Sequence, residues 1–175
     1  MNRTIKSCLG SLLGFQKEID DLKKRVSELS WDCTFGMWTR TAFLQFCRVM
    51  PRGRRTIAFL DLDGIHSLNH ECGYVEVDRK VREAFSIPFR RSDVVARWYS
   101  GDEIVILFDS DLEGSQRKME ELEENAARQG ISFTHEIGIW TVGETDIVEV
   151  IDVLSDRNRR KLEEAKGAHR EAGVR

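Results

Sequence analysis

The sequence predicts an α+β domain of the ferredoxin-like kind, preceded by an N-terminal helix. Short apolar stretches typical of strands alternate with amphipathic stretches typical of helices, in the order β-α-β-β-α-β-α. The first part of the chain differs, because its apolar side chains recur in alternating steps of three and four. We therefore expect two parts, an amphipathic helix over 1–30 and a globular domain over 31–175.

The apolar residues of the N-terminal stretch form a heptad pattern with charged residues between them. About two and a half heptads is short for an autonomous coiled coil. We expect a homodimer through this helix that is weak or is assisted by the domain behind it. The alternative is a single amphipathic helix packed on its own domain. The apolar positions are Leu12, Phe15, Ile19, Leu22, Val26 and Leu29.

The first half of the globular part predicts a helix, a strand and a broken helix. The helix covers 40–49, and Pro51 ends it because proline disfavours a helical residue before it. Residues 56–62 (TIAFLDL) then form a buried strand. A helical stretch comes next, interrupted near Gly73 and resuming over 75–85.

The second half predicts a hairpin, a helix, a strand and a final helix. Strands over 94–99 and 103–108 are separated by the tight link 100–102, which is typical of a β-hairpin. The later helices begin at residues whose side chains can cap them. The later elements are a helix from Ser110 or Asp111 to Gln129, a strand over 131–139, and a helix from Thr145 to about Arg170.

Composition and charge exclude several classes of protein. The 175 residues carry 27 Lys and Arg against 30 Asp and Glu, a net charge of −3 that gives no general positive field for nucleic acid. Apolar runs such as 104–108 are far shorter than the roughly 20 residues that cross a bilayer. We therefore expect a cytoplasmic protein with no membrane or nucleic-acid partner. The four cysteines form no C-x-x-C metal motif and are expected to be reduced thiols.

Two acidic clusters stand at the ends of predicted strands. Asp61-Leu62-Asp63 ends the first strand, and Asp102-Glu103 stands at the tip of the hairpin. If these elements are neighbours, Asp61 and Asp102 come close, and two carboxylates at about 4 Å repel by roughly 4 kcal/mol at an effective dielectric of about 20. Such a pair calls for a bound cation or a raised pKa, and hard oxygen ligands suit Mg²⁺ or Mn²⁺. The alternative is that these acids only end a strand and make a turn.

The final predicted helix carries a basic run over 157–161 and, beyond it, two further cations. Lys166 and Arg170 are four residues apart and therefore share one helix face. Taken alone, they are typical of a solvated basic end that complements the helix dipole.

Four stretches of the chain match, in order and spacing, the motifs of one family. Residues 32–43 (DCTFGMWTRTAF) follow D-x-L-T-G-L-x-N-R-x-x-F, with the Leu, Thr and Asn positions changed. Residues 61–78 (DLDGIHSLNHECGYVEVD) follow D-[IL]-D-x-F-K-x-[IL]-N-D-x-x-G-H-x-x-G-D without a gap, and 100–104 (SGDEI) stands in the place of the signature. Lys166 and Arg170 complete the set. The globular part thus resembles the GGDEF domain of diguanylate cyclases.

The resemblance implies a palm-type fold and the condensation of two GTP molecules into cyclic di-GMP and two pyrophosphates. Asp61 and Asp102 would hold Mg²⁺ with help from the Leu62 carbonyl. Glu103 would bind a second metal ion or help to deprotonate the attacking 3′-hydroxyl. Because each domain of this family binds one GTP, two copies would face each other, held together by the N-terminal helix.

The resemblance also implies a set of substrate contacts. A carboxylate would accept hydrogen bonds from the N1–H and the amine of guanine, a donor pair that adenine lacks, so GTP would be preferred over ATP. The hairpin would leave room for nucleotide, and other residues would contact the phosphates. The residues are Asn69 and Asp78 for guanine, Ser100 and Gly101 at the hairpin, and His66, Lys166 and Arg170 for the phosphates.

A short charged motif precedes the hairpin. Arg90-Arg91-Ser92-Asp93 fits the R-x-x-D pattern at which the family binds its product as an inhibitor. The family places this Asp six residues before the first Gly of the signature, whereas Asp93 lies seven before Ser100, which indicates one inserted residue. One interpretation is cyclic di-GMP binding at Arg90 and Asp93, and the other is ordinary surface charge before a strand.

Several positions depart from the family pattern. Ser100 replaces Gly, Ile104 replaces Phe, and His66 stands where the family has a phosphate-contacting Lys. Tyr74 and Val77 replace His and Gly near the guanine contacts. We expect these changes to lower rate or affinity more than they remove the mechanism. The first interpretation is therefore a diguanylate cyclase, the second a degenerate domain that binds GTP or cyclic di-GMP and signals through protein contacts, and the third a related cyclase with a different product.

Overall fold

The computed structural model describes the backbone of residues 3–99 and 101–172 and the side chains of residues 15–99 and 101–164. The helices of this part are α1 (Arg3–Ser30), α2 (Arg40–Arg48), α3 (Ile65–Cys72), α4 (Tyr74–Ala84), α5 (Leu112–Arg128) and α6 (Ile147–Ala172). The strands are β1 (Trp31–Asp32), β2 (Met37–Trp38), β3 (Gly53–Leu62), β4 (Val94–Arg97), β5 (Glu103–Phe108) and β6 (Phe133–Val142).

The strands form one sheet in the order β1-β2-β4-β5-β3-β6. β3 is antiparallel to both β5 and β6, and β4 is antiparallel to β5. The predicted α+β class is confirmed, and so is the order β-α-β-β-α-β-α from β3 to α6, with α3 and α4 forming the broken helix. The sequence does not predict β1 and β2, because two residues are too few to show a period.

Helices cover both faces of the sheet. Along β3 the side chains alternate, so that Ala58 and Leu60 pack with α4 and α5, while Ile57 and Phe59 pack with α2 and α6. All four side chains are buried, which is why this strand is apolar on both faces. The packing fixes β3 from two sides and thereby positions its carboxyl end, where Asp61 stands.

The ends of several strands differ from the sequence prediction. β3 begins at Gly53, three residues early, and β6 covers 133–142 rather than 131–139. The cause is pairing, because these two strands are hydrogen-bonded along their whole length. β4 ends at Arg97, two residues before its predicted end, which lengthens the loop of the hairpin.

The capping residues of two helices can be compared with prediction. The Asp111 carboxylate accepts a hydrogen bond from Gly114 N at 2.8 Å and caps α5, as one of the two predicted candidates. Asp146 stands at the start of α6, where its Oδ1 accepts from Val148 N at 2.8 Å. The prediction of Thr145 as this cap is therefore wrong by one residue, since adjacent cap-type residues cannot be separated by residue type alone.

The described apolar residues of α1 are exposed. Their exposed fractions range from 45% at Ile19 to 75% at Leu29. The helix is bonded to the domain at its last turn, where Thr39 N donates to Ser30 O at 3.0 Å and Thr39 Oγ1 donates to Leu29 O at 2.9 Å. At these positions the helix does not bury its apolar face on its own domain, and the homodimer stays a prediction. The exposed positions are Phe15, Ile19, Leu22, Val26 and Leu29, and the Leu12 side chain lies outside the described residues.

Two further expectations concern membranes and thiols. Within residues 3–99 and 101–172, no helix has both the length and the apolar character needed to cross a bilayer. Cys33, Cys47 and Cys72 are free. Burial raises the pKa of Cys47 to about 12, so this thiol stays protonated at neutral pH. Cys8 lies outside the described side chains.

Candidate active site

The carboxyl end of β3 lies beside the start of β5. Asp61 stands directly opposite Glu103 in the antiparallel register. One residue further on, Leu62 N donates a hydrogen bond to Asp102 O at 3.1 Å. The first strand therefore lies beside the hairpin, which is the condition on which an approach of Asp61 to Asp102 depends, and backbone pairing brings both acidic clusters to one end of the sheet.

The charges at this end of the sheet act on one another. The pKa of Glu103 is raised above its usual value, first by partial burial and then by the negative charges of Asp61 and Asp102. The positive charge of Arg159 on α6 opposes this shift. Glu103 thus lies within electrostatic reach of two other carboxylates, an arrangement that favours a bound cation or a proton.

The donor set suits a hard cation. Within the described side chains, no three His, Cys, Asp or Glu residues are grouped closely enough to hold a metal ion by themselves. Mg²⁺ does not need such a cage, because it usually keeps several waters and binds one or two carboxylates together with substrate phosphates. Two carboxylates, Asp61 and Asp102, lie at this end of the sheet beside the Leu62 backbone, and metal binding by them stays a prediction.

The helices α3 and α4 carry the two residues predicted to contact guanine. Gly73 separates these helices at φ +83°, a value that favours glycine, and its N–H donates to Asn69 O at 3.0 Å. Asn69 Oδ1 is buried and has no hydrogen-bond partner among the described residues. An unpaired buried acceptor costs about 1–3 kcal/mol unless water or a ligand supplies the donor. Asp78 lies on α4 and is partly exposed.

An ion pair that the sequence analysis does not identify holds the hairpin loop. Arg97 Nη1 donates to Asp32 Oδ2 at 3.0 Å, and Arg97 Nε donates to Gly101 O at 2.9 Å. Partial burial acts to raise the pKa of Asp32, but hydrogen bonds from Phe35 N–H and Arg97 hold it below its usual value. Asp32 lies in the stretch 32–43 that carries part of the resemblance, whereas Arg97 ends β4 outside the matched stretches, and no local sequence pattern links the two residues.

The hairpin loop is anchored by aromatic residues. Trp98 N donates to Glu103 O at 2.8 Å, so that 99–102 form the loop. Trp98 is buried, whereas Tyr99 is half exposed, and the Arg40 guanidinium lies 4.6 and 4.9 Å from the centres of their two rings. The loop is therefore held from below by α2, while its tip stays accessible.

The remaining predicted site residues fall into two groups. Gly101 and His66 are exposed, and apart from chain neighbours no described atom lies within 4 Å of the position that a Gly101 Cβ would take. Ser100 lies outside the described residues. Lys166 and Arg170 lie on the backbone of α6, but their side chains are outside the described part.

The structure describes the predicted product site in detail. Asp93 Oδ2 accepts from Arg90 N at 2.9 Å, and Asp93 Oδ1 accepts from Asp109 N at 2.9 Å. Arg90 Nη1 donates to Asp109 O at 3.1 Å. Both charged side chains of the motif are therefore engaged in local hydrogen bonds, and product binding stays a prediction.

Comparisons with known proteins support the fold. No family model matches the chain, and no curated protein matches it. Solved structures do. The diguanylate cyclase SiaD of Pseudomonas aeruginosa, in complex with its activator SiaC, has 21% identity and a TM-score of 0.64 over 91% of this chain and 69% of its own.

Two further structures are similar at comparable identity. The coiled coil and GGDEF domain of DgcB from Caulobacter crescentus, in complex with c-di-GMP, has 16% identity and a TM-score of 0.70 over 95% of this chain and 96% of its own. The S helix-GGDEF-EAL structure of LapD from Vibrio cholerae, bound to c-di-GMP, has 16% identity and a TM-score of 0.66 over 87% of this chain and 38% of its own.

The sheet and the helices that cover its two faces form the palm-like fold of nucleotidyl cyclases, and the acidic residues stand at the end of β3 in that fold. Within that class the chain has the fold of a GGDEF domain, as its sequence motifs predict. At identities of 16–21% the similarity establishes the fold alone.

Proposed function

We propose that the chain is a diguanylate cyclase, which condenses two GTP molecules into cyclic di-GMP and releases two pyrophosphates. One observation carries the proposal: on a GGDEF fold, Glu103 stands opposite Asp61 and has its pKa raised by burial and by the charges of Asp61 and Asp102. Such mutual repulsion destabilises the empty site and is relieved by a divalent cation with its nucleotide.

The carboxylates have separable roles in this proposal. Asp61 and Asp102 would hold Mg²⁺ or Mn²⁺, assisted by the Leu62 carbonyl. When bound, the ion neutralises the triphosphate and stabilises charge on the transferring phosphoryl group. Glu103, whose pKa is raised, is suited to accept the proton of the attacking 3′-hydroxyl. The 3′-oxygen then bonds to the α-phosphorus of the second GTP, and the bond from that phosphorus to pyrophosphate breaks.

Guanine recognition would fall to Asn69 and Asp78. The buried Oδ1 of Asn69, which has no hydrogen-bond partner in the described part of the chain, can accept a hydrogen bond from a base. The Asp78 carboxylate would accept from the N1–H and the amine of guanine, which excludes adenine. Lys166, Arg170 and His66 would contact the phosphates, where positive charge favours departure of pyrophosphate.

Closing the cyclic product requires two domains, each holding one GTP. The exposed apolar residues of α1 support a homodimer through this helix, because pairing would cover side chains that the single chain leaves in water. A weak pair is expected from the short heptad stretch, so that activity should depend on protein concentration.

The dimer is tested by placing charge on the apolar face. We expect Leu22→Glu with Val26→Glu to lower the specific activity at micromolar protein by about tenfold or more, because two buried carboxylates would oppose pairing. Light scattering and activity would be measured over the same concentrations. Lys17→Gln with Ser27→Glu changes the net charge by the same amount at exposed positions on the outer face of the helix and should change neither. Unchanged activity and mass in the first variant would remove the helix from the mechanism.

A second candidate is a module that binds GTP or cyclic di-GMP without turnover. The observation that favours it is the spacing before the signature, since Asp93 lies seven residues before Ser100 where the family pattern has six. A shifted loop can keep nucleotide binding while losing in-line geometry, and a displacement of about 1 Å can cost about 10²-fold in rate.

Incubation of the pure chain with Mg²⁺ and either GTP or ATP in parallel, followed by chromatography of the nucleotides, separates the candidates. Cyclic di-GMP with release of pyrophosphate supports the cyclase. Binding of GTP or cyclic di-GMP without turnover supports the module. A cyclic product formed from ATP instead would support the related cyclase, and neither binding nor turnover would overturn all three.

A further inference from the structure

Two histidines occupy one exposed face of α3. His66 and His70 are four residues apart on the helix Ile65–Cys72, and both side chains are exposed. Their ring centres are 4.7 Å apart, and the ring planes meet at 86°. The proposed function gives a role to His66 alone and does not explain why a second imidazole stands against it.

The spacing of the pair is that of a bidentate ligand. Residues at i and i+4 of a helix lie one turn apart on the same face, and two histidines at this spacing are a known way of binding zinc. An ion bonded to both rings lies about 2.0–2.1 Å from each nitrogen. Rings already in contact need only rotation about their side-chain bonds to present one nitrogen each to such an ion.

We propose that His66 and His70 form a chelating site for a divalent transition-metal ion, of the class Zn²⁺, Ni²⁺ or Cu²⁺. Imidazole nitrogen suits these ions, whereas Mg²⁺ prefers oxygen. The site therefore differs in its ligand atoms from the acidic end of β3. The proposal does not depend on whether the chain is a cyclase.

The described residues around the pair leave coordination positions of a bound ion free for water. Among the described side chains, no third His, Cys, Asp or Glu joins the two rings in a metal-holding group. Glu71 and Cys72 follow His70 directly and stand about 100° and 200° further round the helix, away from the shared face. The ion would complete its coordination with water, as a metal site with free positions does.

The test is calorimetric titration of Ni²⁺ into the full chain without an affinity tag, at neutral pH and with millimolar Mg²⁺ present. We expect one ion per chain, not displaced by Mg²⁺. His70→Gln should weaken binding by about tenfold or more, since one of the two metal–nitrogen bonds is lost. His169→Gln removes a histidine elsewhere in the chain and should leave the affinity unchanged.

A matched control isolates the spacing from the composition. Moving the second histidine by one position, His70→Gln with Glu71→His, keeps the number of histidines but takes the second imidazole off the shared face and leaves no carboxylate beside His66. We expect this variant to bind as weakly as His70→Gln. Equal affinity in this variant and the wild-type chain would overturn the proposal.

A spectroscopic measurement tests chelation in the unaltered chain. One equivalent of Cu²⁺ should give an electron paramagnetic resonance spectrum with two imidazole nitrogens coupled to the metal. A spectrum with a single coupled nitrogen, or with none, would contradict chelation by the pair. Loss of the second nitrogen in His70→Gln would assign it.

Discussion

Two charged regions of this domain differ in what surrounds their charged groups. At the acidic end of β3, Glu103 carries a raised pKa because burial and the charges of Asp61 and Asp102 act on it together. In the 90–93 turn, by contrast, Asp93 accepts two backbone N–H groups, and Arg90 donates to a backbone carbonyl. The first region holds charges in repulsion, and the second holds charges that its own backbone satisfies.

The difference shows which kind of charge indicates a ligand. A carboxylate that accepts two local N–H groups contributes to folding and needs no ligand to explain it. Carboxylates that repel one another cost stability in the empty protein, and that cost is typical of a site whose partner arrives from solution. Sequence motifs single out both regions equally, and only the structure separates them.

The largest expected effect is on turnover. Glu103→Gln should lower the rate of cyclic di-GMP formation by about 10³-fold, because it removes a base while keeping the shape of the side chain. The rate would be followed as pyrophosphate release. Glu144→Gln changes an exposed Glu in another turn and is the control. Turnover within about twofold of wild type in Glu103→Gln would show that Glu103, at the acidic end of β3, is not the base.

The next effect is on the binding of GTP. Asn69→Ala should raise KM for GTP by about 10-fold to 100-fold with little change in kcat, because it removes a contact made in the ground state. Since Asn69 Oδ1 has no hydrogen-bond partner among the described residues, its removal breaks no hydrogen bond of that atom within the described part of the chain, and Tm should not fall. Steady-state kinetics with GTP and calorimetry of the free protein give the two numbers. A large drop in Tm with unchanged KM would assign Asn69 to the fold instead.

A smaller effect is expected in the 90–93 turn. Asp93→Ala should destabilise the chain by about 1–2 kcal/mol, since two N–H groups lose their acceptor. For a chain of this size that corresponds to a Tm lower by about 2–8 °C. Asp93→Asn keeps one acceptor oxygen and should lose less. An unchanged Tm together with lost affinity for cyclic di-GMP would make this turn a ligand site.

The smallest effect concerns stability and pH. Because the pKa of Glu103 is raised in the folded chain, the folded state holds its proton longer than the unfolded state, and stability falls as pH rises above the usual value of 4.5. Glu103→Gln cannot titrate. We expect its Tm to exceed that of wild type by about 1–3 °C at neutral pH, a gain kept small by solvent screening of half-exposed charges.

Thermal unfolding of wild type and Glu103→Gln at several pH values checks this last prediction. The difference in Tm should fade as the pH approaches 4.5, where Glu103 takes up a proton in both states. A difference in Tm that grows toward low pH would mean that the fold stabilises the ionised Glu103 carboxylate. The pKa of Glu103 would then be lowered in the folded chain and not raised.

The long elements of the fold could be predicted because their patterns are local. β3 is a continuous apolar run and ends in acids, and the heptad residues of α1 are periodic. The strand β1 has only two residues and is too short to show a period, while the Arg97–Asp32 ion pair joins residues 65 apart in sequence, which no local pattern contains. The cap of α6 differs by one residue, because Thr145 and Asp146 are both suitable types.

The candidate site divides in the same way. The resemblance identifies Asp61, Asp102 and Glu103, and the register of β3 with β5 then explains why they act on one another. The satisfied state of Asp93 could not be predicted, since one of its donors, Asp109 N, lies 16 residues away in the chain.

The junction of α1 with the domain has a mechanical consequence. α1 ends at Ser30 and β1 begins at Trp31, so there is no slack between the helix and the edge of the sheet. Thr39 clamps the carbonyls of the last helical turn, and Arg97 ties the following turn to the backbone of Gly101. Rotation of α1 about its axis would therefore act on the hairpin loop through a short series of hydrogen bonds.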